Sequence, residues 1–167
     1  MRLIENTAAE FDYEICNERM RPIAEALISK YRELQHIQAD KILFVLNYKN
    51  SGNKRQMVLA KTSRISPKWT EILYQLGSYS YFHTIEIYAK TTASMDENQK
   101  IALLYRELRR IGPEGEILVP DVHDWWQVLM GLGRNWFYPE QPCPNLLDEG
   151  IDWKKLMGQY YEQPENN

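Results

Sequence analysis

The sequence predicts one α+β domain with a small mixed β-sheet, and three patterns lead to that prediction. Ile42–Leu46 is a continuous apolar run of strand length. Apolar residues in the first third of the chain recur at helical spacing. A long amphipathic segment, Ser94–Ile111, follows a later strand-like stretch. With 167 residues, 44% of them hydrophobic, the chain can bury a core without disulfides.

The first third of the chain is predicted to be helical. Ala8–Met20 is the first candidate helix. Pro22 can begin a second helix that extends to Leu34, because proline is tolerated at a first helical position. The apolar positions of this second helix are Ile23, Leu27, Tyr31 and Leu34.

The middle of the chain is predicted to form three strands and a short helix. Ile42–Leu46 is expected to be a central strand. Asn47–Lys54, rich in Asn, Ser and Gly, reads as a hairpin connection to a second strand, Gln56–Ile65. A helix over Lys68–Leu76 and a third strand over Tyr81–Ala89 follow.

The segment Ser94–Ile111 has the sequence signals of a well-delimited helix. Ser94 and Glu97 have the spacing of a capping box, and Gly112-Pro113 is expected to end the helix. Its apolar stripe comprises Ile101, Leu104, Tyr105, Leu108 and Ile111.

The arginines of this helix are expected on the side opposite to the apolar stripe. At about 100° per residue, Arg106 and Arg110 fall there, and Glu107 lies on the flank. A second helix, Asp121–Leu132, is expected to pack against the first, because the connection between them is short. That packing would bring His123 close to Arg106 and Arg110.

Residues 1–138 are predicted to form the domain. Pro139, Pro142 and Pro144 indicate a linker, so residues 139–167 are expected to be a proline-rich linker and a C-terminal tail.

Composition restricts the classes of function. The net charge of −3, with basic and acidic residues well mixed, argues against nucleic acid as a partner, which would require a dense basic field. The two cysteines, Cys16 and Cys143, have neither zinc-knuckle spacing nor a disulfide pattern. No apolar run has the length of a membrane span, and no signal peptide is evident, so a cytoplasmic location without membrane contact is expected.

The motif helix has the register of a zinc-peptidase active-site helix. Such helices carry H-E-x-x-H, two histidine ligands one turn apart with a glutamate between them as general base. Here the same register holds Arg106-Glu107-Leu108-Arg109-Arg110. The surrounding residues follow in order: a strand at Phe82–Ala89, a turn at Gly112–Gly115, His123-Asp124-Trp125, and Gly133 with Trp136.

This series resembles the phage metallopeptidases, a zincin-like family of phages and integrated mobile elements. Their pattern is a strand, a helix reading A-L-L-x-H-E-L-x-H-I, a glycine-containing turn, H-D-V-x-x-F and G-x-x-W. The resemblance implies a zincin-like domain with Glu107 at the general-base position. It also implies a site that includes Arg106, Arg110, His123 and Asp124. A guanidinium is a permanent cation without a lone pair to donate, so the sequence predicts no bound metal or other cofactor.

The sequence leaves several hypotheses open for the function of these residues. The arginines can be a solvated helix face that complements the negative end of the helix dipole. The chain can be a catalytically inactive binding or accessory module with a peptide or protein partner. It can bind a small anion, or associate with nucleic acid, through Arg106, Arg109 and Arg110. It can also be an active zinc-dependent peptidase with unusual ligands, namely Glu107, His123 and Asp124.

Overall fold

The computed structural model describes residues 11–49, 58–77, 79–120 and 124–161. They form a four-stranded mixed β-sheet with helices, so the predicted α+β class is confirmed. The elements are β1 (Tyr13–Ile15), α1 (Asn17–Lys30), β2 (Ile42–Asn47), β3 (Ala60–Arg64), α2 (Pro67–Gly77), β4 (His83–Tyr88), α3 (Ala89–Thr92), α4 (Glu97–Leu108), α5 (Trp126–Leu132) and α6 (Trp153–Tyr161), with 3₁₀ turns at Arg32–Leu34 and Ala39–Lys41. None of the described helices is long and apolar enough to span a membrane.

The strands lie in the order β1-β2-β4-β3. β2 is internal, as predicted, and runs parallel to β4, whereas both edge strands are antiparallel to their neighbours. The predicted hairpin between β2 and β3 is wrong, because β4 lies between these two strands. The turn residues after β2 begin a crossover connection, and most of that connection, residues 50–57, lies outside the described residues.

One face of the sheet carries the core. Ile42, Phe44 and Leu46 alternate along β2 into the buried side, and Ile85 and Ile87 continue that row on β4. α1 and α4 supply buried residues to the same core. The alternation of buried and half-buried positions is the period-2 pattern expected of a sheet with one covered face.

The N-terminal prediction requires correction. Tyr13–Ile15, expected to be helical, pairs with β2, so a long-range strand pairing outweighs the local helical pattern. The two expected helices are one, α1, with Pro22 inside it. Pro22 removes only a hydrogen bond to the carbonyl of residue 18, and Glu18 is exposed to solvent at the start of the helix.

The motif helix α4 begins two residues later than its predicted capping box implies. Asp96 is the N-cap: its Oδ1 accepts a 2.8 Å bond from the Gln99 amide, and the Gln99 side chain accepts a 2.9 Å bond from the Asp96 amide. Gln99 is buried and also donates to the carbonyls of Trp136 and Tyr138. This tertiary role favours the Asp96–Gln99 pair over the Ser94–Glu97 pair of the same spacing.

The predicted division of α4 into an apolar and a solvated face is wrong. Every residue from Gln99 to Leu108 is buried, so α4 is a central helix covered on all sides. At Arg106 the arginine-bearing side is covered by Trp125, whose indole donates to the Arg106 carbonyl, and by Asp124, which also binds Trp136.

The C-terminal segment also contributes to the core. Cys143, Leu146, Trp153 and Leu156 are buried in the same cluster as α1 and α4. The indole ring of Trp153 lies 4.9 Å from the ring of Tyr105, centroid to centroid. The buried core therefore extends beyond residue 138 to Leu156. Residues 162–167 lie outside the described chain.

Candidate functional site

Arg106 lies inside the protein at the first ligand position of the peptidase register. The residue is 4% exposed, and its Nε atom donates a 3.0 Å hydrogen bond to Oδ1 of Asp124. Its Nη1 atom lies 3.2 Å from Oε1 of Glu107. One guanidinium therefore bridges two carboxylates, an arrangement that suits its planar fork of donors.

Glu107, at the general-base position, is fully buried, and both of its carboxylate oxygens are engaged. Oε1 interacts with Arg106, and Oε2 accepts a 2.8 Å hydrogen bond from the hydroxyl of Thr62 on β3. The Thr62 hydroxyl also lies 3.2 Å from the Glu107 carbonyl. The glutamate is thus fixed between its own helix and the edge strand.

Asp124 is also fully buried and accepts three hydrogen bonds. Oδ1 accepts from Arg106 Nε and, at 2.7 Å, from the amide of Trp125. Oδ2 accepts a 3.2 Å bond from the indole Nε1 of Trp136. The indole of Trp125 in turn donates to the Arg106 carbonyl at 2.9 Å. The two tryptophans thereby hold the aspartate against the end of α4.

We call Arg106, Glu107 and Asp124 the buried charge triad. Its formal charges sum to −1, from one cation and two anions. Buried charges are costly unless they are paired and hydrogen-bonded, and here each carboxylate oxygen has at least one donor. Both acids thus contribute to neutralising the charge of Arg106.

The other two arginines of the motif have different surroundings. The Arg109 guanidinium lies 4.5 Å from the centroid of the Trp125 ring and donates to the side chain of Gln127. Arg110 is half-buried, and its Nε atom is shielded from solvent with no hydrogen-bond partner within the described chain. The hypothesis that the three arginines form one solvated helix face is wrong for Arg106, because Arg106 is buried.

Of the five predicted site residues, the structure brings together Arg106, Glu107 and Asp124. Arg110 makes no ion pair with a described residue, and His123 lies outside the described residues. The two remaining histidines bind the turn that follows α4: His36 Nε2 contacts the Ile111 carbonyl at 2.7 Å, and His83 Nε2 contacts the Gly115 carbonyl at 2.8 Å.

Sequence reasoning missed three residues that hold the triad, Thr62, Trp125 and Trp136. The tryptophans stand out in the sequence as large aromatics, but packing explains such residues without a polar role. Their indole N–H groups give them that role here. Thr62 carries no sequence signal, since its contact with Glu107 depends on how β3 lies against α4.

Two tyrosines, one in the motif helix and one near it, have hydroxyls that cannot accept a proton as a base at neutral pH. Burial, followed by the hydrogen bond to Glu33, raises the pKa of Tyr105. Burial, followed by the nearby charges of Glu86 and Glu107, raises the pKa of Tyr88. Both hydroxyls therefore stay protonated over the range in which a peptidase works.

The donor chemistry of the triad does not fit a zinc ion. A catalytic zinc usually takes three protein ligands from neutral imidazole, thiolate or carboxylate groups. Arg106 and Arg110 cannot ligate, and the carboxylate oxygens of Glu107 and Asp124 already accept hydrogen bonds. Within the ranges that the structure describes, no group of three or more histidine, cysteine, aspartate or glutamate side chains could hold a metal.

Comparison with known proteins identifies the family. The family model described as putative phage metallopeptidase matches residues 11–161, which include both edge strands, the motif helix and α6. No curated protein and no solved structure matches the chain significantly. Because the family model covers most of the chain, this protein belongs to the phage metallopeptidase family.

Proposed function

We propose that this chain is a catalytically inactive phage metallopeptidase that acts in the cytoplasm as a binding or accessory module of a prophage or mobile element. The observation that carries the proposal is the Arg106 guanidinium bridging Glu107 and Asp124. Arg106 supplies a fixed positive charge at a position where the family's motif supplies a metal ligand. The positive charge of Arg106 then stabilises the buried carboxylates of Glu107 and Asp124 without a metal ion.

Loss of hydrolysis follows from the state of Glu107. A general base must reach a water or substrate proton within about 2.6–3.2 Å. Glu107 is fully buried, and its two oxygens are taken by Arg106 and Thr62. Freeing either oxygen would leave a buried donor unpaired, which is energetically unfavourable.

A surface for an extended partner remains at the edge of the sheet. Hydrogen bonds from Ile65 to Phe82 and from Tyr88 to Leu59 set the register of β3 against β4. In an antiparallel pair this register turns the backbone groups of Ala60, Thr62 and Arg64 away from β4. No described strand pairs with that side of β3.

This edge supports the addition of a peptide strand from a partner. Main-chain hydrogen bonds would supply affinity, as in other cases of strand addition. The edge is held in place by the charge triad, because the Thr62 side chain binds Glu107 from the same strand. The triad would thus act as a structural support for the binding edge rather than as catalytic machinery.

Neither alternative function gains a specific supporting observation. A zinc-dependent peptidase with unusual ligands would need Glu107 and Asp124 to exchange their hydrogen bonds for the metal. An anion or nucleic-acid site built from Arg106, Arg109 and Arg110 would need three available cations. Arg106 is neutralised by two acids, and Arg109 is engaged by Trp125 and Gln127.

The test uses a display library of random unstructured peptides as the probe. Arg64→Pro removes one outward-facing N–H from β3 and leaves the bonds to β4 in place, since proline is tolerated on that side of an edge strand. Arg64→Ala is the matched control, because Arg64 is exposed.

We expect selected peptides to bind the parent and Arg64→Ala alike, to bind Arg64→Pro about tenfold more weakly, and to stay intact during long incubation. Peptide cleavage by the parent would overturn the assignment as inactive. Equal binding to Arg64→Pro and Arg64→Ala, or no selection of peptides, would overturn the edge-strand assignment.

A further inference from the structure

A second candidate site lies at the β1 edge of the sheet, whereas the charge triad contacts β3 at the opposite edge. A groove of about 780 Å³ runs between β1, the start of α1 and α2, and includes Arg21, Leu43 and Tyr81. We call it the α1–α2 groove. Its volume falls within the range of about 300–1,000 Å³ that is common for ligand sites.

Arg21 gives the groove an unsatisfied charge. Its Nε and Nη2 atoms are both shielded from solvent and have no hydrogen-bond acceptor among the residues that the structure describes. These two atoms lie on the same edge of the planar guanidinium, where they can bind both oxygens of one carboxylate. Buried donors are rarely left without an acceptor, so their state here points to an anionic ligand.

The other polar groups of the groove already have partners or face solvent. The Glu14 carboxylate binds Arg19 and accepts a 2.8 Å bond from the hydroxyl of Tyr48. The Asn17 side chain donates to the Tyr81 hydroxyl at 3.0 Å and accepts from the Phe44 amide at 2.8 Å. Glu18 is exposed. Arg21 is thus the charged group of this groove whose buried donors lack an acceptor within the described part of the chain.

The walls beside Arg21 are apolar and unusually exposed. α2 has no fully buried residue, and Leu76, near its C-terminal end, is 79% exposed. Leu73 of α2, Leu43 of β2 and the largely exposed Ile15 of β1 also line the groove. Contiguous apolar surface of this kind commonly marks an interaction site.

β1 adds a backbone edge to the groove. Hydrogen bonds from Cys16 to Phe44 and from Tyr48 to Asp12 set its register against β2. The N–H and C=O groups of Ile15, which lines the groove, therefore point away from β2. No described strand pairs with this side of β1. A free acid would use the cation and the apolar walls, whereas a peptide would also use this edge.

We propose that the α1–α2 groove binds the C-terminus of a peptide partner whose last residue is apolar. The terminal carboxylate binds Nε and Nη2 of Arg21. The last side chain packs against Leu73 and Leu76, and the preceding backbone pairs with the open edge at Ile15. Carboxylate capture and strand addition are both established modes of peptide recognition. This site is independent of the β3 edge and of the charge triad.

The test is an NMR titration of the full chain with the dipeptide acetyl-Val-Leu as a free acid and as its C-terminal amide. We expect the acid to shift the Nε–H signal of Arg21 and the methyl signals of Leu73 and Leu76. The amide, which lacks the charge, should bind at least about tenfold more weakly. No shifts at about 10 mM acid, or equal binding of acid and amide, would overturn the proposal.

Two variants and a control test whether the peptide binds in the α1–α2 groove. Arg21→Gln should weaken binding of the acid by about tenfold or more, whereas Arg134→Gln, at an exposed arginine elsewhere, should leave it unchanged. Leu76→Glu should also abolish binding, and the fold should tolerate this change because the Leu76 side chain is exposed. Self-association lost in both Arg21→Gln and Leu76→Glu would identify a second copy of the chain as the occupant and overturn the peptide assignment.

Discussion

The Nε atom of Arg106 lies 3.0 Å from Oδ1 of Asp124, and both residues are buried. This contact joins the first ligand position of the motif helix to the segment where the family carries its second motif. In an active zinc peptidase the metal would connect these parts of the chain. Here the Arg106 guanidinium connects them. A change at Arg106 should therefore alter the stability of the fold.

The first prediction concerns Arg106 and Arg110, which the resemblance to the family aligns with the two histidines of the H-E-x-x-H motif. Arg106→Ala should lower the free energy of unfolding by about 3–5 kcal/mol, because it leaves two buried carboxylates uncompensated. Arg110→Ala should lower it by less than about 1 kcal/mol, since Arg110 makes no ion pair within the described chain. Urea unfolding measures both values, and equal losses would show that the triad does not carry this stability.

The second prediction concerns the indole that holds Asp124. Trp136→Phe keeps an aromatic side chain but removes the indole donor to Oδ2 and leaves a small cavity at a fully buried site, so it should cost at least about 1.5–3 kcal/mol, the range for hydrogen bonds to charged groups. Trp126→Phe, at a ring that is half exposed, should cost less than about 0.5 kcal/mol. If the two variants melt at the same temperature, the Trp136–Asp124 bond contributes nothing.

The third prediction concerns the thiols. Burial is the main cause that raises the pKa of Cys16 and of Cys143 from 9.0 to about 12. The folded state therefore holds these protons more tightly than the unfolded state. The stabilisation is present below pH 9 and is lost as the pH rises from 9 towards 12.

Titration with a disulfide reagent at pH 8 checks the thiol prediction. Neither cysteine should react in the folded protein, and both should react after unfolding, because the thiolate is the reactive form. A melting temperature measured across the alkaline range should fall above pH 9. Rapid reaction of either thiol in the folded state would contradict the buried environment of that residue.

The fourth prediction converts the site back to the family pattern. Changing Arg106→His and Arg110→His together places two imidazoles one turn apart, with His123 as the expected third ligand. The double variant should bind zinc in competition with a chromophoric chelator, and His123→Ala in that background should weaken the binding. A folded double variant that binds zinc no better than the parent would count against the alignment with the H-E-x-x-H register.

The sequence predicted the elements whose signal is local. β2 is a continuous apolar run, α2 follows a Ser-Pro start, and α4 is long and periodic, so each was predicted close to its observed place. β1 has three residues, and its pairing with β2 gives no local signal. The position of β4 between β2 and β3 likewise depends on long-range strand pairing, which has no local sequence signal.

The three residues of the charge triad could be predicted from the sequence, but their contacts could not. The resemblance to the family indicated Arg106, Glu107 and Asp124 as neighbours. Periodicity placed Arg106 on an exposed face, because a pattern along one helix does not reveal what another segment covers. The contacts with Thr62 and Trp136 come from residues far along the chain, and only tertiary structure brings them to the site.

Elemental analysis of the full chain, purified without chelator, tests most directly whether Arg106 takes over the charge role of the metal. We expect zinc far below one equivalent per chain, and no gain after dialysis against zinc, because the carboxylates of the triad are bound to Arg106, Thr62 and the tryptophans. One equivalent of tightly held zinc that disappears in His123→Ala would contradict this and would identify an active-type metal centre.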